Sequence, residues 1–152
     1  MPVPPRFRGC TSQSPHPMIT WSNEFATGVD FVDHDHQVLI DNLNRLEAAL
    51  RDGEGAARIG DLVTFLERYA KEHFAREERC MDQVRCPVAA QNRIAHQEFI
   101  ATIADAKDRL FGTNTATAVS IKVHREMCQW IREHILKIDT HLRACAKHPG
   151  AR

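Results

Sequence analysis

Four stretches of this chain place apolar residues at every third or fourth position, and each stripe also carries an imidazole or a carboxylate where a core residue is expected. This spacing marks one face of a helix, and such a face has to be buried against other helices. The polar groups set into it raise a second constraint. A lone carboxylate in a bundle core costs several kcal/mol unless a partner neutralises it.

Asp33 reads as the N-cap of the first helix, with Val38, Leu39, Leu43, Leu46 and Leu50 on its stripe and His36 one turn before them. The second runs from about Ala56 to Val84, where Ile59, Leu62, Leu66 and Tyr69 or Ala70 lead to His73, Glu77 and Met81. Glu67, Arg68, Glu72, Arg76, Glu78 and Arg79 fill the rest of that helix and read as a solvated face. Cys86-Pro87 breaks the chain, and Pro87 fits the first turn of a third helix with Asn92, His96, Phe99, Ile103 and Leu110 on its stripe. The fourth runs from about Thr115 to Ala144, with Val123, Met127, Ile131, His134, Ile138 and Leu142 facing inward. These helices predict an all-α, antiparallel up-down-up-down four-helix bundle over residues 20–144. An N-terminal arm should pack Trp21, Phe25 and Phe31 over one end. Residues 1–19 read as a disordered Pro- and Ser-rich tail, and 145–152 as a C-terminal tail.

Formal net charge is zero, which points to neither nucleic acid nor a membrane surface as partner. No apolar run is long enough to span a bilayer, and the first twenty residues lack the apolar segment of a signal peptide. Five Cys at spacings that match no disulfide framework fit a reducing compartment, so the expected location is the cytoplasm.

His73 and Glu77 form an H-x3-E pair, one above the other on a helical face, so both can reach one metal centre. His134 and Asp139 form an H-x4-D pair. Five helical residues turn through roughly 140°, so these two converge only if Asp139 reaches from the stripe's edge or the helix deforms locally. Every helix offers at least one inward donor, and no inward Lys or Arg is in place to neutralise Glu77 and Asp139. A mixed imidazole and carboxylate set suits iron, zinc or manganese. His16, His34, His124, His141 and His148 fall outside the pattern.

Five segments carry a resemblance to a known family. They are Trp21 together with GVDFVDHDHQVL from Gly28 to Leu39, HFAREERCM from His73 to Met81, Cys86-Pro87, HQEF from His96 to Phe99, and WIREHILKID from Trp130 to Asp139. In order, spacing and flanking residues the chain resembles the hemerythrins over about residues 19–143, in particular the bacterial single-domain members. The resemblance implies two non-haem irons that bind O2 reversibly. Glu77 and Asp139 would bridge the irons, and His36 and His73 would ligate the iron with an open position for O2. His96 and His134 would ligate the other iron, with a further His four residues before His96. There the chain has Asn92. Asp35 stands where the family commonly has Gln, and Cys86 where Tyr usually precedes Pro.

An Asn amide oxygen is a harder and weaker ligand for ferrous iron than imidazole, and its side chain is shorter. Asn92 could therefore ligate directly, hold a water in the ligand's place, or leave the second iron weakly bound. The leading expectation is reversible O2 binding for storage, delivery or sensing. The alternative is a diiron enzyme acting on O2, peroxide, NO or ferrous iron, and a structural or storage metal bundle is the third. Met127, Ile131, Phe74, Phe99 and Trp130 are candidates to line the ligand cavity, although each also fits ordinary core packing.

Overall fold

The computed structural model describes residues 19–112 and 116–147, with side chains at 19–109 and 121–147. His148 and the expected tail through residue 18 lie outside the described residues, and Leu110 is described in its backbone only. A 3-10 turn (Asn23–Phe25) precedes α1 (Asp30–Arg51), α2 (Ala56–Gln83), α3 (Ala89–Gly112) and α4 (Ala116–Lys137). A second 3-10 turn (Asp139–His141) and a short α5 (Leu142–Lys147) follow. Helices α1 and α3 each pack on both α2 and α4, so the four form the expected bundle. Among the described residues no helix is long and apolar enough to cross a membrane.

The helix ends follow from local chemistry. Both α1 and α2 close with a residue in the left-handed region, which lets the next N–H reach back to a carbonyl five residues earlier. After α1 this residue is Gly53 (φ +69°), and Glu54 N–H donates to Ala49 O at 2.9 Å. After α2 it is Arg85 (φ +52°), and Cys86 N–H donates to Met81 O at 2.8 Å. Asp33 is not the N-cap of α1, which starts three residues earlier behind Val29. Its carboxylate instead reaches back from the first turn, accepting from Thr27 N at 2.6 Å, Thr27 Oγ1 at 2.8 Å and Gly28 N at 3.2 Å. The carboxylate thus ties the backbone of the preceding arm to the first turn of α1 rather than satisfying the helix's own free N–H groups.

The larger apolar core runs along the bundle axis and takes in the arm through Ile19 and Phe25, with Trp21 packed against it. Ile19 is thus buried rather than part of a tail, and its carbonyl accepts from Asn44 Nδ2 at 2.9 Å. Phe31, expected to cover the bundle end, is 40% exposed because α1 already includes it and turns it outward. A smaller cluster of Val32, Met81, Cys86 and Leu142 closes the end at which α2 turns into α3. Arg143 clamps α5 to the arm, donating to the carbonyls of Asn23 (3.1 Å), Glu24 (2.6 Å) and Ala26. Cys80, Cys86, Cys128 and Cys145 are free thiols.

The fourth helix is not continuous to Ala144. It stops at Lys137, Ile138 departs from helical geometry (φ −119°, ψ −60°), and the chain tightens into the 3-10 turn that carries Asp139.

Candidate metal centre

That break determines where Asp139 points. A 3-10 turn advances about 120° per residue rather than 100°, which re-aims a side chain relative to the helix before it. Asp139 Oδ1 comes to 3.2 Å from His134 Nε2, and Oδ2 to 3.2 Å from His36 Nε2. Glu77 is arranged in the same way. Its Oε2 lies 3.4 Å from both His36 Nε2 and His73 Nε2, and its Oε1 lies 3.4 Å from His96 Nε2. Each carboxylate thus directs one oxygen towards an α1–α2 histidine pair (His36, His73) and the other towards the α3–α4 side (His96 for Glu77, His134 for Asp139).

All six side chains are buried, with Glu77 at 0% and His36, His73 and Asp139 at 1% exposure. Donor atoms of Glu77, His96, His134 and Asp139 lie within 4.8 Å of one another, as do those of His36, His73 and Glu77. Left to themselves these atoms are poorly satisfied. Both nitrogens of His36, Glu77 Oε2 and Asp139 Oδ1 have no aligned hydrogen-bond partner. The Nε2 atoms of His96 and His134 face each other at 3.1 Å. Converging lone pairs in a dry core are what a pair of cations relieves, so the donor set fits two metal ions. Without cations, protons take that part. Burial alone would push His36 down, but the Asp139 and Glu77 carboxylates raise it to about 9. Burial would likewise raise Glu77, yet His36, His73 and His96 hold it well below the ordinary carboxylate range.

Asn92 is fully buried at the α3–α4 side. Its Nδ2 donates to Glu77 Oε1 at 2.7 Å and lies 3.3 Å from Met81 Sδ, while Oδ1 has no partner. Asn92 therefore meets the cluster through the Glu77 carboxylate.

A ring of outer partners escaped the sequence reading. His73 Nδ1 lies 3.1 Å from Asp35 Oδ2, and Asp35 also accepts from Tyr69 Oη at 2.9 Å and Arg76 Nη2 at 2.6 Å. Against burial, which pushes it up, the bonds from His73, Tyr69 and Arg76 hold Asp35 at about 2. His96 Nδ1 lies 2.8 Å from Glu78 Oε1. Arg76 and Glu78 are thus not simply a solvated face: they flank the inward stripe closely enough for long side chains to reach it. The signal was their spacing, Arg76 one turn after His73 and Glu78 beside Glu77. On the inner side Phe74 stacks on His96 (3.7 Å between centroids) and Trp130 on His134 (4.2 Å), which fixes both rings.

The other described histidines stay apart from the cluster. His34 and His141 are exposed, and His124 lies 2.9 Å from the Leu43 carbonyl, hydrogen bonded away from the cluster.

Residues 27–146 match the family described as Hemerythrin HHE cation binding domain. The chain is 26% identical over 118 residues to a bacteriohemerythrin of Stenotrophomonas maltophilia, covering 78% of this chain and 74% of that one. It is 27% identical over 123 residues to a bacteriohemerythrin of Methylococcus capsulatus (80% and 92% covered). With a myohemerythrin of Riftia pachyptila it shares 30% identity over 125 residues (82% and 90%). A family match across most of the chain, on a four-helix bundle with buried His, Glu and Asp clusters, leads to one conclusion: the chain belongs to the hemerythrin HHE family.

Proposed function

We propose that the chain holds two non-haem irons between its two histidine pairs and binds O2 reversibly. The observation that carries this reading is the double reach of Glu77 and Asp139, each with one oxygen towards either pair. In this assignment His36, His73, Glu77, Asp139, His96 and His134 are the metal ligands. A bound ferrous pair would supply the two electrons that O2 binding draws on.

The protein's own contribution is to orient and to exclude water. Asp35 and Glu78 accept from the Nδ1–H of His73 and His96, which leaves each Nε2 lone pair free to face the centre. One helical turn further along the bundle, Leu39, Ala70, Phe99 and Ile131 line a cavity of about 10 Å3 together with Leu43, Leu66, Ile103 and Met127. Each of the first four lies three residues from one of the four histidines, so the cavity sits next to the centre along the axis. Its lining is wholly apolar, and it has room for one small molecule at most. A dry, narrow chamber favours an uncharged diatomic gas over water or an ion.

The test is direct. Ferrous protein is prepared anaerobically, iron is counted, and the visible charge-transfer spectrum is followed as air is admitted and removed. Two irons per chain and a coloured form that fades under inert gas support a carrier. Asn92 favours a second reading, an enzyme acting on O2, peroxide, NO or ferrous iron, because a centre with fewer imidazoles is less protected from turnover. Rapid, irreversible oxidation in air would select it.

A further inference from the structure

Set out by element, the protein donors form two equal halves. The α1–α2 half has His36, His73, Glu77 Oε2 and Asp139 Oδ2. The α3–α4 half has His96, His134, Glu77 Oε1 and Asp139 Oδ1. Asn92, also buried beside the second half, has both amide hydrogens accounted for, by Glu77 Oε1 and Met81 Sδ. Its Oδ1 is fully buried and lacks a donor. A buried amide oxygen without a donor is destabilising, whereas one ordered water would satisfy it. A water can donate to Oδ1 and still present a lone pair to a metal, which an imidazole at the same position would make unnecessary.

We infer that Asn92 converts the α3–α4 half into a second small-ligand position, filled by exchangeable water at rest and open to a diatomic gas, so that the centre takes two exogenous ligands. This rests on the two-metal reading above. Asn92 acts here as a positioning residue: through Glu77 it holds the shared carboxylate, and through Oδ1 it holds the water. Phe74 stacked on His96 and Trp130 stacked on His134 hold the two imidazoles of this half in place.

Nitric oxide is the probe of choice, because it binds end-on to a single ferrous ion and so counts open positions. Iron-loaded ferrous protein is titrated with NO anaerobically, with uptake followed amperometrically and iron counted on the same sample. Two irons and two NO held per chain is the expected result. Two irons with one NO per chain overturns the inference and leaves the two-metal reading standing. Fewer than two irons per chain sinks that reading, and the inference with it. In Asn92→His uptake should fall to one NO per chain with iron still at two; uptake unchanged at two would also overturn the inference. If that variant does not fold, the wild-type count decides alone. A readout independent of gas binding is water exchange at the loaded centre, measured by proton relaxation on the ferric protein. It should be faster in the wild type than in Asn92→His or, failing that, Asn92→Gln, and equal rates would count against the inference.

Discussion

Asp35 and His73 are joined across the α1–α2 interface by a 3.1 Å contact between Oδ2 and Nδ1, in a carboxylate that also accepts from Tyr69 and Arg76. The pair fixes the His73 tautomer, and a charged acceptor makes the imidazole a better donor to a cation. Asp35→Asn keeps the shape and removes the charge. Metal affinity should fall about 10–100-fold, measured by competition against a chelating dye. Affinity within twofold of wild type would reduce Asp35 to an anchor for Arg76.

The metal-free protein should be pH-sensitive in a defined direction. His36 has its folded pKa raised from 6.5 to about 9, so its stabilisation is complete below pH 6.5 and lost as pH rises through about 9. Glu77 is held well below 4.5, so its share is present above pH 4.5 and lost as pH falls through the folded value. Thermal melts of chelator-treated protein should therefore peak between about pH 4.5 and 6.5 and decline towards pH 9. The His36 share of that decline is about 3 kcal/mol. A melting temperature flat from pH 6 to 9 would contradict the assignment.

Adding a redox-silent cation should reverse the alkaline loss, since metal replaces the protons that hold the cluster together. Zinc at about a hundred times its Kd should add roughly 2.7 kcal/mol per occupied site, seen as a concentration-dependent rise in melting temperature. Proton release on zinc addition at pH 7, followed with a weakly buffered indicator, is the companion measurement. No release would mean that the cluster does not meet the metal.

Arg85 holds φ +52° at the end of α2, a position where a Cβ is unfavourable. Arg85→Gly should stabilise the protein by about 1 kcal/mol, offset in part by glycine's greater freedom in the unfolded chain. Urea denaturation should show a higher midpoint with an unchanged slope. A lower midpoint would show that the Arg85 side chain contributes more than its backbone costs.

The fold and five of the six converging residues were legible because both depend on periodicity. A stripe that runs Ile59, Leu62, Leu66, Ala70, His73, Glu77, Met81 predicts its own inward direction, and the structure buries every member but Ile59, which is half-buried. Asp139 was readable only as a conflict with helical spacing, and the resolution is backbone geometry: the break at Ile138 that no residue type announces. Asp35, Arg76 and Glu78 were opaque for a different reason. Long or charged side chains at the edge of a stripe read as solvent-facing until the neighbouring helix shows what lies within reach. The hydrogen bond from Asn92 to Glu77 belongs to the same class, since sequence places a side chain on a face but does not rotate its amide.

The first two helices supply His36, His73 and Glu77, whereas His96, His134 and Asp139 come from later segments, with Asp139 last. During synthesis a growing chain that has released α2 already presents three donors, but the carboxylate that reaches across to His134 is missing until the turn after α4 emerges. The donor set is therefore complete only once the last of its segments has been made and packed.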